Sequence, residues 1–263
     1  MKEFHAESVA ELQALSSEQL RAFESKHYDL LELPPRDGRL VPKDVEAAYL
    51  AGAASDVEFV VGLAADDLSG WQAMLAGDVS LNDMVDMYYA WFADSIGADK
   101  ADKLDAALQK YAQSGLSAVD AKKALLADFQ YKSCILHDCR TLAKGGSVVH
   151  CFYWNVKGNI EKLSANTVSL VTTILGNAKT GEQMGYLNDE SLTEIMQALV
   201  GKFTRGKPLE FYNNELKGVR EIVWKTFDIG NNRVLEIQKD SVKMSENAFS
   251  EEIFTLERLV FDE

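Results

Sequence analysis

Residues 37–70 decide the fold, and they read DGRLVPKDVEAAYLAGAASDVEFVVGLAADDLSG. The segment opens with the turn pair Asp37-Gly38, and a short helix-like run follows. Residues 57–62 are short, mostly apolar and rich in β-branched side chains. That pattern favours a buried parallel strand, so the segment predicts a turn, a helix, a strand and a strand-end loop.

Two adjacent carboxylates, Asp66 and Asp67, occupy the predicted strand-end loop. In an open α/β sheet, ligands and catalytic groups gather beyond the carboxyl ends of the strands. We therefore take both as candidate site residues. A structural interpretation stands beside this one, because residues 67–71 also have the pattern of a helix start, where an Asp accepts backbone N–H bonds.

Helical and strand-like segments alternate along the rest of the chain. We predict helices at residues 8–23 (broken at Ser16), 118–144, 192–203 and 248–260 (starting from Ser245), with three helices between residues 67 and 129. We predict further strands at residues 148–154, 221–227 and 233–238, and an irregular stretch at residues 155–180. Strands separated by long helical stretches predict an α/β fold, in which helices flank a mostly parallel sheet of three or four strands. We predict one domain over residues 1–263, with a helical insertion at about residues 68–144.

Composition narrows the classes of function. The chain has 263 residues and a formal net charge of −14, with 47% hydrophobic and 26% charged residues. This charge argues against nucleic acid or an anionic membrane surface as a partner, because neither would gain from counterion release. No apolar run approaches the roughly 20 residues that cross a bilayer, and the first residues lack the apolar core of a signal peptide. We therefore expect a cytoplasmic protein.

The cysteines point in the same direction. Cys134 and Cys139 lie on one predicted helix without sharing a face, and Cys151 lies in a predicted strand. An odd number of cysteines without Cys-x-x-Cys spacing argues against a disulfide framework and against a zinc site. We predict buried or half-buried thiols, and no metal or cofactor.

The order of these motifs resembles the type-B carboxylesterase/cholinesterase family of α/β-hydrolases, in the part of the family that follows its nucleophile. Family members carry an Asp-Gly turn and a Pro, a short helix ending in Gly, an apolar strand ending in Gly, and a loop whose Glu is the triad acid. The matching residues here are Asp37-Gly38, Pro42, Gly52, residues 57–62 and Asp66-Asp67-Leu68. The resemblance covers residues 12–237 and implies the C-terminal half of an α/β-hydrolase fold. It places Asp67 at the acid position, with Leu68 in place of the usual Gly and Asp66 as the alternative acid.

The other two members of the family's catalytic triad do not have matching residues. No Gly-x-Ser-x-Gly elbow occurs, and Gly145-Gly146-Ser147, which comes nearest, has Val149 at the last position. Counting back from Gly176 places Thr167 where the family carries its His, and no His follows His150. A Thr hydroxyl cannot accept a proton near neutral pH. The resemblance therefore implies an incomplete triad and a chain that is catalytically silent on its own.

Half of a parallel sheet leaves one strand edge unpaired, which is an aggregation hazard unless something covers it. We therefore predict a protein partner or self-association at that edge: a chain carrying the elbow half, a second copy, or the rest of a longer protein. The resemblance implies a small ester as ligand. Two alternatives stay open, a non-catalytic interaction or scaffold protein of the same family and one half of a split ester hydrolase.

Overall fold

A computed structural model describes residues 6–24, 36–68, 80–158, 165–186, 189–212 and 221–261. The chain divides into two compact units, Met1–Val45 and Glu46–Glu263. The assignment of residues 68–144 as an insertion into one domain stays a prediction.

The first unit contains helices α1 (Val9–Gln13) and α2 (Ser17–Glu24). The predicted break at Ser16 is confirmed, and its cause is a reciprocal cap. The Gln19 N–H donates to Ser16 Oγ at 3.2 Å, and the Ser16 N–H donates to Gln19 Oε1 at 2.9 Å. This pairing satisfies two amide groups that helix α2 would otherwise leave without partners.

The predicted turn at Asp37-Gly38 is also confirmed. Asp37 Oδ1 accepts the backbone N–H groups of Arg39, Leu40 and Val41 at 2.8, 2.9 and 3.2 Å. These backbone donors lower the pKa of the Asp37 carboxyl, because they stabilise its charged form. Gly38 has a φ of 77°, a left-handed conformation that residues with a Cβ rarely adopt.

The second unit is built around a sheet. The strands of the described residues are β1 (Glu58–Ala64), β2 (Val148–Asn155), β3 (Glu210–Tyr212), β4 (Glu221–Val223), β5 (Val234–Gln238) and β6 (Ser241–Ser245). The main sheet has the order β1-β2-β5-β6, in which β1, β2 and β5 are parallel and β6 is antiparallel to β5. Strands β3 and β4 form a separate antiparallel pair. The predicted mostly parallel sheet is therefore confirmed with four strands, and the separate pair brings the described strands to six.

Helices pack around this sheet and extend beyond it. They are α3 (Val45–Leu50), α4 (Leu81–Ile96), α5 (Ala101–Gln113), α6 (Ala118–Ala127), α7 (Cys134–Lys144), α8 (Thr167–Ile174), α9 (Ala178–Gln183), α10 (Glu190–Phe203) and α11 (Glu251–Phe261). A π-helical segment, Asp128–Ser133, joins α6 to α7, so the predicted helix over residues 118–144 is continuous with a local widening. None of the described helices has the length and apolarity that crossing a membrane requires.

Two predictions of secondary structure are wrong. Residues 155–180 contain α8 and α9 rather than an irregular stretch, because α8 depends on its Asn166 cap and on packing rather than on a regular apolar repeat. The closing helix starts at Glu251, not after Ser245. Ser245 instead ends β6, where its hydroxyl donates to Glu236 Oε2 at 2.7 Å.

Strand β2 is buried on both faces and therefore joins two cores. Phe152 and Trp154 belong to the core that contains α10, while Val149 and Cys151 belong to the core that contains α7. The alternation follows from the two-residue period of a strand. A third core forms among helices α4, α5, α6 and α11, centred on residues such as Phe92, which stacks on Phe129.

The Gly-Gly motif before β2 has a packing function. A Cβ at Gly145 would lie 1.9 Å from the carbonyl oxygen of Tyr49, at the end of α3. Ser147 Oγ donates to the carbonyl oxygen of Ala54 at 2.7 Å. Gly145 and Ser147 thus join the segment before β1 to the segment before β2, at the amino ends of the strands, and Ser147 is committed to the backbone there.

Candidate functional site

The candidate site lies where β1 and β2 end. These parallel strands are in register from Glu58 opposite Val148 to Ala64 opposite Trp154, so they finish at the same edge of the sheet. Beyond that edge the Ala65 N–H donates to the Trp154 carbonyl oxygen at 2.9 Å. Further on, the Asp66 N–H donates to the carbonyl oxygen of Ala165 at 2.8 Å. The segment that follows β1 is therefore hydrogen-bonded to the end of β2 and to the segment that follows β2.

Asp67 lies in this connection with only 7% of its surface exposed. Its Oδ1 accepts a hydrogen bond from the backbone N–H of Thr167, the first residue of α8. A carboxylate at a helix start is stabilised by the unpaired amides there. The structure thus brings together the residues predicted at the acid and base positions, Asp67 and Thr167. The alternative helix start at residues 67–71 extends beyond the described residues.

A buried hydrogen-bond network fixes the start of α8. Asn166 Oδ1 accepts the Ser169 N–H at 3.1 Å, and Asn166 Nδ2 donates to the Tyr186 hydroxyl at 3.2 Å. Ser169 Oγ accepts from the indole N–H of Trp154 at 2.8 Å and donates to the Asn166 carbonyl oxygen at 2.7 Å. This network was not predicted from the sequence, although Asn followed three residues later by Ser is compatible with a helix cap.

Asp66 turns away from Asp67 toward a different set of charges. Its Oδ2 lies 3.7 Å from Lys123 Nζ. Both side chains belong to a cleft of about 330 Å³ that also includes Asp120, Asp128 and Lys132. The two adjacent carboxylates therefore have separate surroundings, and the one that reaches residue 167 is Asp67.

Lys132 is the most buried cation of that cleft. Its ammonium lies 2.5 Å from Asp128 Oδ1, and Asp128 Oδ2 accepts the Tyr111 hydroxyl at 2.8 Å. Burial lowers the pKa of Lys132, but the charge and hydrogen bond of Asp128, with a smaller contribution from the charge of Asp66, outweigh this effect and raise it. Lys132 therefore stays protonated near neutral pH and cannot serve as the missing proton acceptor.

The described histidines are placed elsewhere. His150 lies in the middle of β2, five residues before its carboxyl end, which is roughly 16 Å at the rise of a strand. His137 is 3% exposed, with Nε2 3.1 Å from Glu46 Oε1 and Nδ1 3.6 Å from Glu257 Oε1. Neither imidazole is placed to work with Asp67.

The remaining candidate ligands give no metal site in the described part of the chain. No group of three His, Cys, Asp or Glu side chains converges there. Cys134, Cys139 and Cys151 are thiols, half-buried or buried as predicted. Burial raises the pKa of the Cys134 thiol to about 11, which removes it as a nucleophile near neutral pH. His5 and His27 lie outside the described residues.

Comparison with solved structures defines the class of fold: a mostly parallel sheet with flanking helices, as in the α/β-hydrolase esterases. One match is a PNB esterase, with a TM-score of 0.67 and 15% identity over 93% of this chain and 49% of that chain. Another is a thermophilic PNB esterase, with a TM-score of 0.65 and 17% identity over 93% of this chain and 49% of that one. No protein-family model and no curated protein sequence matches.

These matches confirm the predicted fold class. The chain spans about half the length of the esterases it matches. At identities of 15% and 17% the likeness is one of fold, and activity does not follow from it.

Proposed function

We propose that this chain is the C-terminal half of a carboxylesterase-like α/β-hydrolase and that it does not hydrolyse esters on its own. The observation that carries this proposal is the hydrogen bond from the backbone N–H of Thr167 to the buried carboxylate of Asp67. In a Ser-His-acid triad, the acid holds the imidazole of the base in its orientation. Here a buried acid faces the base position, but that position holds Thr, which cannot act as a base.

The sheet edge supports the need for a partner. Among the described strands β1 pairs only with β2, and Phe59, Val60 and Val61 are only partly buried. The acid-bearing strand therefore presents one row of backbone N–H and C=O groups without a strand partner in the described part of the chain. We propose that a polypeptide segment carrying a Gly-x-Ser-x-Gly elbow adds a strand along this edge. The 49% coverage of the matched esterases is consistent with such a missing segment.

A second candidate is a non-catalytic interaction protein built on the same fold. The observation that favours it is Thr167, whose main-chain N–H donates a hydrogen bond to the Asp67 carboxylate. The acidic surface would then serve electrostatic steering toward a partner.

A para-nitrophenyl ester assay separates these functions. We expect no turnover from the chain alone. If adding a polypeptide that carries the elbow and also supplies a base gives turnover, and Asp67→Ala then lowers kcat, the split-hydrolase interpretation holds. Complex formation without turnover supports the interaction protein. Turnover by the chain alone contradicts the central proposal.

A further inference from the structure

Three cations line one cleft on the side of the molecule formed by α5 and α11. The cleft has a volume of about 320 Å³ and includes Lys103 and Lys110 from α5 and Arg258 from α11. Among the residues that the structure describes, no carboxylate lines it, in a chain whose net charge is −14. Local positive charge of this kind runs against the overall composition and would concentrate anions.

The two lysines are placed to act together. They are seven residues apart on one helix, which puts them on nearly the same face with their Cα atoms about 10 Å apart. Both are exposed. Within the ranges that the structure describes, neither Lys103 nor Lys110 forms an ion pair with a carboxylate.

The third cation, Arg258, forms an ion pair with a carboxylate that does not line the cleft. Arg258 Nη2 lies 2.7 Å from Glu251 Oε1, and both side chains are well exposed, at 50% and 71%. A second carboxylate, Glu252, has its pKa lowered mainly by its own backbone N–H and by Ser250, with a smaller contribution from Lys110. These two acids are the nearby competitors for an incoming anion. An exposed ion pair such as Arg258–Glu251 contributes little and exchanges readily.

The rest of the lining is formed by Ala106 and Ala107 on α5 and by Thr255 and the buried Leu259 on α11, so it is mostly apolar. The volume lies at the lower end of the range for small-molecule sites. Cationic groups above an apolar lining suit a compact organic anion with charge at both ends.

We propose that this cleft binds a small organic anion with one charged group at each end, either a dicarboxylate or a phosphorylated carboxylate. One anionic group contacts Lys103 and the other contacts Lys110 and Arg258, whose planar guanidinium matches carboxylate or phosphate in two-point contact. The carbon skeleton lies against Ala107 and Leu259. This site is separate from the Asp67 site and does not depend on the function proposed there.

Isothermal titration calorimetry at constant ionic strength tests the proposal, with glutarate and inorganic phosphate as the two probes. We expect a dissociation constant of about 1 mM or tighter for at least one probe. The tighter probe identifies the source of the anion as dicarboxylate or phosphate, and equal binding identifies the shared anionic group. If neither probe binds at about 10 mM, which is 10 times the expected dissociation constant, the proposed site is wrong.

Variants assign the binding to the cleft. The double variant Lys103→Gln/Lys110→Gln should weaken binding at least about 10-fold. Lys179→Gln, at an exposed position on α9, is the matched control for loss of a positive charge and should bind as the parent chain does. Glu251→Gln removes the competitor for Arg258 and should tighten binding about threefold. Equal weakening in Lys179→Gln, or unchanged binding in the double variant with native circular dichroism, overturns the assignment.

Discussion

The backbone N–H of Thr167 donates a hydrogen bond to the carboxylate of Asp67 across 100 residues of sequence. One residue follows strand β1 and the other opens the helix after β2. Because parallel strands in register end at one edge of a sheet, the fold brings the Asp67 carboxylate to the first residue of α8. That relationship links the sheet to the function that we propose.

Replacing Asp67 tests how much this contact stabilises the second unit. Asp67→Ala removes the charged acceptor of the Thr167 N–H, and we expect a loss of about 1.5–3 kcal/mol in the free energy of unfolding. Urea denaturation measures the loss. Asp56→Asn, at an exposed turn position before β1, is the control and should change stability by less than about 0.5 kcal/mol. Similar losses in the free energy of unfolding for both variants would show that this contact does not stabilise the second unit.

Gly145 and Gly115 illustrate two different reasons for a glycine, a close backbone approach at Gly145 and a positive φ at Gly115. A Cβ at Gly145 would meet the Tyr49 carbonyl oxygen at 1.9 Å, so Gly145→Ala should force α3 and α7 apart and cost more than about 2 kcal/mol. Gly115 has a φ of 85° and nothing within 4 Å of its ideal Cβ. Gly115→Ala should therefore cost only about 1–2 kcal/mol of backbone strain. Thermal unfolding of both variants compares them, and a cheaper Gly145→Ala would contradict the close approach.

Lys132 predicts a difference in stability at alkaline pH. The folded state raises its pKa, so its contribution is fully present below the unfolded value of about 10.4 and is lost as the pH rises through the higher folded value. The parent chain should lose more stability as the pH rises from about 10.4 to about 12 than Lys132→Met does. Tyr111, whose pKa is also raised, titrates in both proteins and largely cancels in the comparison. The charge of Lys132 lowers the pKa of Tyr153, so Tyr153 does not cancel, and Tyr153→Phe in both proteins removes its contribution. Parallel pH profiles would show that Lys132 is not held in its charged form by the fold.

The β1 edge predicts different effects of proline at two adjacent positions. The Ala65 N–H donates to the Trp154 carbonyl oxygen of β2. Because backbone N–H groups alternate along a strand, the Val61 N–H points toward β2 and the Val60 N–H points toward the open edge. Val61→Pro should lower stability by about 3 kcal/mol or more, because it removes a ladder bond. Val60→Pro should destabilise the chain less and prevent association with a strand-donating partner.

Light scattering with and without the elbow-carrying polypeptide measures this association. Undiminished association of Val60→Pro would place the partner somewhere other than the β1 edge.

Particular residues show how far the sequence leads. The β-branched run at residues 57–62 and the paired carboxylates after it predicted β1 and the loop with Asp66 and Asp67, because a buried parallel strand has a local composition. Helix α8 was not predicted, since its Thr, Ser and Val residues carry no apolar repeat and its start is stabilised by Tyr186 and Trp154 from other elements. Which of the two carboxylates meets residue 167 was likewise undetermined.

By itself, the sequence determined the α/β class, the turn at Asp37, the strand that carries the acid and the absence of a Gly-x-Ser-x-Gly elbow from the 263 residues. These follow from periodicity, turn chemistry and residue identity, which are local properties. Only the tertiary structure decided that Asp67 faces Thr167 while Asp66 faces Lys123, and that three cations from α5 and α11 share a cleft. Contacts between residues distant in sequence depend on strand register and helix packing, which no local pattern encodes.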